Sequence, residues 1–239
     1  MTYLVFNPIK GINIKYFTNK KVFNPTRTSK ILIKAIYKEK KKFNKYKKIL
    51  DLGCGTAVLG IAIKKILKKP HMYFSDISAD AVRLSKKNLR INDIKYDIKK
   101  SNLLKQWGDK EFDLIVNDVS AISSFFKKKN FWYNDKIPCD SGIDGTKNTI
   151  KFLDSVSKNC KTIILPLISL SNIKFIKQYL NKKKLKYKTL TKEFWPLPEA
   201  LVKKNSKKLI KMKKDNLIDF NIKFGMYIAF TEVIEIKLW

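Results

Sequence analysis

Residues 49–60 constrain this chain more than any other stretch. The apolar run from Lys48 to Leu52 ends on Gly53, the pattern of a short buried strand. From Ala57 to Leu67 apolar residues recur on a wide helical face (Val58, Leu59, Ile61, Ala62, Ile63, Ile66), and Pro70 stops the run. A strand that passes through Gly53 and Gly55 straight into a helix aims backbone N–H groups at a ligand. The alternation then continues. Met72–Asp76, Phe112–Val116 and Lys161–Leu165 read as further buried strands. Between them, Ser78 offers an N-cap with Asp80 in the first turn, and Lys147–Lys158 carries a helical spacing, as do Ile173, Ile176 and Leu180. Strands alternating with helices from residue 48 to about 185 predict an α/β fold of parallel βαβ units with right-handed crossovers. Tyr187–Leu197 and Phe220–Ile236 read as longer strands, joined by a lysine-rich stretch, that fit an antiparallel hairpin at one sheet edge. Residues 1–45 form a separate N-terminal extension of two short extended pieces and a helix from about Thr28 to Lys42, ahead of a main domain over 46–239.

Three ligand classes compete for the glycine turn. A phosphate loop needs G-x-x-x-x-G-K-[ST]; Gly55 and Gly60 have the spacing, but Ile61 and Ala62 follow, without a lysine for phosphates or a hydroxyl for magnesium. A dinucleotide turn needs G-x-G-x-x-G, and Val58 stands at the third glycine position, which disfavours an NAD-dependent oxidoreductase. What remains is D-x-G-x-G, with Asp51 two positions before Gly53 and Asp76 at the end of the next strand. A carboxylate there can accept both hydroxyls of a ribose. Asp51 and Asp76 around such a turn suit a ligand with a ribose and a cationic or amino-acid end, and no pyrophosphate.

In these residues the chain resembles the class I S-adenosylmethionine-dependent methyltransferases. Ile49–Gly60 is similar to their first motif, Ser75–Val82 to their second, and Phe112–Ser120 to their fourth. The resemblance implies a Rossmann-like, mainly parallel seven-stranded sheet with an antiparallel edge hairpin. It also implies S-adenosyl-L-methionine as cofactor, held by Asp51, Gly53, Cys54, Gly55, Asp76, Ile77, Asn102, Leu103 and Asn117. Asn102 stands where the family places an acidic residue against adenine. Two flanking segments narrow the likeness to the small-domain superfamily that includes release-factor glutamine methyltransferases. They are Val22–Thr28, and the Gly142-Ile143-Asp144-Gly145 turn before a helix.

The fourth motif departs from those relatives, which carry Asn-Pro-Pro-Tyr. There an amide oxygen and a backbone carbonyl accept from a planar nitrogen while the aromatic ring stacks beneath it. Here Asn117 is followed by Asp118-Val119-Ser120, with neither the proline pair nor the ring, so glutamine-amide or adenine-amine specificity does not carry over. Asn117 and Asp118 are the candidate catalytic residues, and Val119, Ser120 and Trp132 are the candidate substrate contacts. Asp118 has two roles open to it: a hydrogen-bond acceptor or base toward a substrate N–H, or a cap for a helix near Ser120–Ser124. Phe131, Trp132 and Tyr133 either stack on substrate or close over the core. The implied function is N-methylation of a protein side chain, an RNA base or a small molecule. The rival is a catalytically inactive nucleic-acid-binding module on the same scaffold.

That rival draws on charge: 52 Lys+Arg against 20 Asp+Glu give a net +32. Only Arg27, Arg83 and Arg90 are arginine, whereas nucleic-acid readers favour arginine forks, so the lysine excess reads as a composition bias of the genome. A surface of this charge nonetheless attracts polyanions, and RNA or ribosome association stays open. With 44% hydrophobic residues the chain has the material for a core, which excludes whole-chain disorder. Three scattered cysteines make no disulfide framework, and the single His71 leaves no multi-histidine metal site. No apolar run reaches the roughly 18 residues of a membrane helix, and the N-terminus lacks a signal-peptide pattern. A soluble, cytoplasmic protein is expected.

Overall fold

The computed structural model describes residues 3–128, 137, 139–156 and 160–238. The chain opens with a hairpin, β1 (Leu4–Ile9) and β2 (Ile12–Tyr16), which pair antiparallel as a two-stranded sheet of their own. Helices α1 (Arg27–Lys38) and α2 (Lys40–Phe43) follow, where the periodicity predicts one continuous helix. The break at Glu39 sends Phe43 into the core, stacked on Tyr46.

The main sheet then alternates with helices: β3 (Lys48–Leu52), α3 (Val58–Leu67), β4 (His71–Asp76), α4 (Ala79–Arg90), β5 (Tyr96–Lys100), β6 (Phe112–Asn117), α5 (Ser124–Lys128), α6 (Lys147–Ser155), β7 (Cys160–Ile168) and α7 (Ile173–Lys182). Ser78 caps α4, accepting the Ala81 N–H, and Asp80 in the first turn with Lys87 and Arg90 in the last suits the helix dipole. The chain ends with β8 (Lys186–Pro196), α8 (Glu199–Lys214), β9 (Asn221–Lys223) and β10 (Met226–Lys237). The lysine-rich connection is therefore a helix. It buries Leu201, Leu209 and Met212 and leaves its lysines exposed.

Strand order is β5-β4-β3-β6-β7-β10-β8, with β9 paired to β10. Neighbours from β5 to β7 run parallel, and β10 lies antiparallel between β7 and β8. The expected mainly parallel sheet of seven strands is therefore in place, with β9 added beside it, and the reversed strand sits one position inside the edge. Period-two alternation divides the core. Ile49, Leu114 and Ile164 face α1 and α3, while Leu50, Ile115 and Ile163 face the side covered by Trp107, Phe152, Ile176 and Leu180. A third cluster under α8 joins Ile122, Phe126 and Leu170 to Leu201, Leu209 and Phe220. The chain leaves β3 toward β4 and β5, then returns to β6 on the other side. The topological switch point therefore lies between the carboxyl ends of β3 and β6, where open α/β sheets bind ligands. Among the described residues no helix is long and apolar enough to cross a membrane.

Candidate active site

A cavity of about 620 Å³ opens at that switch point. The glycine turn forms one wall. Gly53 (φ +76°) and Gly55 (φ +52°) occupy the left-handed region, so a side chain at either would strain the backbone. A Cβ on Gly53 would also stand 2.7 Å from Val119 Cγ2, so the turns after β3 and β6 pack directly against each other. The N–H groups of Gly53 and Cys54 donate to Ser75 O at 2.8 and 3.0 Å, fixing the turn to the end of β4.

Two carboxylates flank this turn. Asp76 Oδ2 accepts the Gly55 N–H at 2.9 Å and Oδ1 accepts the Ser78 N–H at 2.9 Å, which leaves further lone pairs toward the cavity. Burial raises the Asp76 pKa against the opposing pull of those N–H groups. Asp51 is fully buried; its Oδ2 accepts the Gly60 N–H at 2.8 Å, and its Oδ1 has no partner. Burial pushes the Asp51 carboxyl up to about 8, opposed by the Gly60 N–H and reinforced by Asp118 and Asp76. A buried carboxylate oxygen left unpaired beside a cavity is the counterpart of a donor that a ligand brings. A cationic amine is such a donor, so Asp51, Asp76 and the glycine cradle fit S-adenosylmethionine.

The other candidates fall into place around these. Cys54, Ile77, Asn102 and Leu103 all line the cavity. Cys54 is buried with Sγ 3.4 Å from Ser85 Oγ, Ile77 is half exposed, and the Asn102 N–H donates to Gln106 Oε1. Asn117 and Asp118 part company. Asn117 is buried beneath the cavity and absent from its walls; its Oδ1 accepts the Val119 N–H at 2.9 Å and shapes the turn. Asp118 lines the cavity, with Oδ2 accepting the Ser29 hydroxyl at 2.9 Å. The helix-cap role goes instead to Ser123, whose Oγ accepts the Phe125 N–H. Burial pushes the Asp118 carboxyl up to about 7, against the Ser29 hydrogen bond.

Val119 and Ser120 complete the far wall. Ser120 O accepts from Ser141 Oγ at 2.6 Å and from Asn148 Nδ2 at 3.2 Å. Gly145 abuts the same loop: a Cβ there would meet the Ile122 and Ser123 backbone at 2.6 Å. The Gly142–Gly145 turn thus braces the turn after β6. Phe131, Trp132 and Tyr133 lie outside the described residues. His71 sits at the exposed start of β4, paired with Asp97 at 2.7 Å, and does not line the cavity.

Three contributors were not singled out from sequence. Ser29 stands one residue past the Val22–Thr28 segment. Asn148 lies just inside α6. Trp195, near the end of β8, lines the cavity with its indole N–H on Thr231 Oγ1 at 3.1 Å. Nothing local in β8 marks Trp195; only the pairing of β8 with β10 brings it to the site.

Comparisons with known proteins bear on the fold and on part of the chain. Residues 14–118 match the family model of the methyltransferase small domain. The chain is 42% identical over 74 residues to the ribosomal protein L11 methyltransferase of Lactobacillus gasseri, covering 30% of this chain and 23% of that protein. It is 33% identical over 117 residues to the release factor glutamine methyltransferase of Clostridium acetobutylicum, covering 46% and 40%. The chain thus spans less than half the length of these curated relatives. Among solved structures, a precorrin-6y C5,15-methyltransferase from Geobacter metallireducens superposes with a TM-score of 0.55 at 10% identity, over 93% of both chains. Over residues 14–118 the chain is thus similar to the methyltransferase small domain, and it shares the Rossmann-like fold of the superposed methyltransferase structure.

Proposed function

We propose that this chain is an S-adenosylmethionine-dependent methyltransferase acting on a nitrogen of a protein side chain, an RNA base or a small molecule. One observation carries the cofactor half: the orphaned Asp51 Oδ1 beside a glycine cradle whose N–H is tied to Asp76. When bound, the cofactor supplies a methyl group activated by its sulfonium and takes the electron pair on sulfur as the leaving group. The protein's share is positioning and exclusion of water. Asp51 and Asp76 hold the polar ends, and Cys54, Ile77, Asn102 and Leu103 enclose the remainder. Asp118, Val119 and Ser120 meet the acceptor, and Trp132 is a further acceptor contact proposed from the sequence alone. Asn117 supports the acceptor side from beneath by holding the turn. An amine is nucleophilic only when neutral, and a carboxylate of raised pKa suits taking its proton near neutral pH.

In this reading residues 46–239 carry the methyltransferase unit, and 1–45 are its extension, folded onto it through α1. The three cysteines are buried and none of them is in a disulfide, which fits a cytoplasmic setting. The basic surface suits an RNA or ribosomal acceptor. Calorimetry with S-adenosylhomocysteine tests the cofactor assignment: wild type binds and Asp76→Ala weakens binding, whereas no binding by wild type would overturn it. Radiolabelled methyl transfer into fractionated extract, split by protease and nuclease sensitivity, then identifies the acceptor class.

A further inference from the structure

Among the described residues, the Asp118 carboxylate is the one acid of the cavity with a side-chain hydrogen bond to the N-terminal segment. Ser29, buried in the first turn of α1, donates its hydroxyl to Asp118 Oδ2 at 2.9 Å across a separation of 89 residues. The same Oγ accepts the Thr26 N–H at 3.4 Å. A serine hydroxyl has a single proton, and with Thr26 on the acceptor side that proton is committed to Asp118. Asp118 Oδ1 has no partner among the described residues, and Asp118 lines the cavity. The backbone of the same residue is held as well, its N–H donating to Leu52 O at 3.2 Å.

We propose that Ser29 is a positioning residue for Asp118: it occupies Oδ2 and so leaves Oδ1 as the carboxylate oxygen that meets the acceptor N–H. The inference rests on the methyltransferase reading above and deepens its acceptor side. It makes the N-terminal helix part of the catalytic unit, because the proton polarity of Asp118 is set from α1. The acceptor nitrogen sheds one proton as it gains the methyl group, and that proton passes to Oδ1, turning the carboxylate into the neutral acid. A hydrogen bond to the charged form favours that form, so Ser29 also holds the Asp118 pKa below where burial alone would put it.

The geometry makes an unusual demand on Asp118→Asn. If Ser29 keeps donating as it does to the carboxylate, the amide gives its oxygen to Ser29 and turns its NH2 into the cavity, a donor where an acceptor is needed. Asp118→Asn is therefore expected to cut methyl transfer into extract by about 100-fold or more. Adding Ser29→Ala frees the amide to turn its oxygen outward as a hydrogen-bond acceptor, and with the acceptor's proton then leaving to water the double variant should regain about tenfold of that loss. A Ser29 that is merely structural would make the double variant worse than the single one, and that result overturns the proposal.

A second readout needs no acceptor. The Asp118 carboxyl carbon, followed by NMR and assigned by its loss in Asp118→Asn, should titrate about one pH unit higher in Ser29→Ala. It should return close to wild type in Ser29→Thr, which keeps the hydroxyl. Should Ser29→Ala fail to fold, Ser29→Cys, a weaker donor of similar size, is expected to give an intermediate rise. A titration unmoved in every Ser29 variant overturns the proposal. S-adenosylhomocysteine binding should stay unchanged across the Ser29 variants. A wild type that fails to bind it removes the methyltransferase reading, while the titration still decides whether Ser29 governs Asp118.

Discussion

The two halves of the cavity are built on different principles. The carboxylates and glycine turn of the proposed cofactor half lie within residues 51–76, and their hydrogen bonds span short distances along the chain: 9 residues for Gly60 to Asp51, 21 for Gly55 to Asp76. The acceptor half is assembled from afar. Ser29 reaches Asp118 across 89 residues, Asn148 reaches Ser120 across 28, and Trp195 is braced by Thr231 across 36. The first half is one strand–turn–helix unit beside its neighbour strand. The second is a junction of four segments, so its shape depends on how the whole sheet closes.

If the halves are separable, substitutions should divide cleanly between binding and turnover. The largest effect is expected from Asp118→Ala, which should lower methyl transfer by about 100- to 10,000-fold while leaving S-adenosylhomocysteine affinity within a few-fold. A matching loss of affinity would break the division. Asp76→Ala should do the reverse and weaken S-adenosylhomocysteine binding by about 100-fold, read by calorimetry, through the loss of charge-assisted hydrogen bonds of about 1.5–3 kcal/mol each.

Proton linkage sharpens the same contrast. Asp51, at about 8 in the unliganded protein, is mostly protonated at pH 7. A cationic amine favours its ionised form, so S-adenosylmethionine binding at pH 7 should release up to about one proton and tighten as pH rises from 6 toward 8. Calorimetry in buffers of different ionisation enthalpy measures this, and Asp51→Asn should abolish it. The sign for stability is opposite. Asp51 and Asp118 bind protons more tightly folded than unfolded, so their contribution is complete below the ordinary carboxylate range. It is lost as pH rises toward 7 and 8. Thermal melts of the unliganded protein should therefore show these two groups costing stability over that window, and Asp51→Asn should flatten the slope. The smallest effect belongs to Asn148→Ala. It removes the amide that serves Ser120 O, Asp140 O and Ser141 Oγ. A loss of about 1 kcal/mol in stability is expected, with KM for the acceptor rising more than S-adenosylhomocysteine affinity falls.

Charge makes a second contrast between the same regions. The chain is +32, yet the floor of its cavity carries Asp51, Asp76 and Asp118. The lysines of α8 illustrate the other side: they lie exposed while Leu201, Leu209 and Met212 face inward. The lysines of α8 thus stand on the surface, whereas the proposed chemistry rests on a few acids of the cavity wall. Lowering salt should strengthen association with polyanions without moving the cofactor constant, because screening acts on exposed charges more than buried ones.

Much of the architecture was legible because it is periodic. Buried strands such as Lys48–Leu52 and Phe112–Asn117 stand out as apolar runs, and Ser78 with Asp80 marks a helix start that the structure confirms through the Ala81 N–H. The breaks were harder. The interruption after Lys38 and the helix over Glu199–Lys214 have no strong local signal, since lysine is compatible with helix and loop alike and packing decides between them.

By itself the sequence marked the turn proposed to hold the cofactor, because two glycines, two carboxylates and a strand–helix crossing impose their geometry within one βαβ unit. Only the tertiary structure decided what stands around the turn after β6, the proposed acceptor half. Asn117 and Asp118 are neighbours at a strand end, where successive side chains point to opposite sides and one residue of register reverses their roles. The fold turns Asn117 inward onto the Val119 N–H and Asp118 into the cavity. It also brings Ser29 from α1 to Asp118 and Trp195 from β8 to the same cavity. Those placements follow from sheet order and helix docking, which act across the whole chain and leave no mark on the residues beside them.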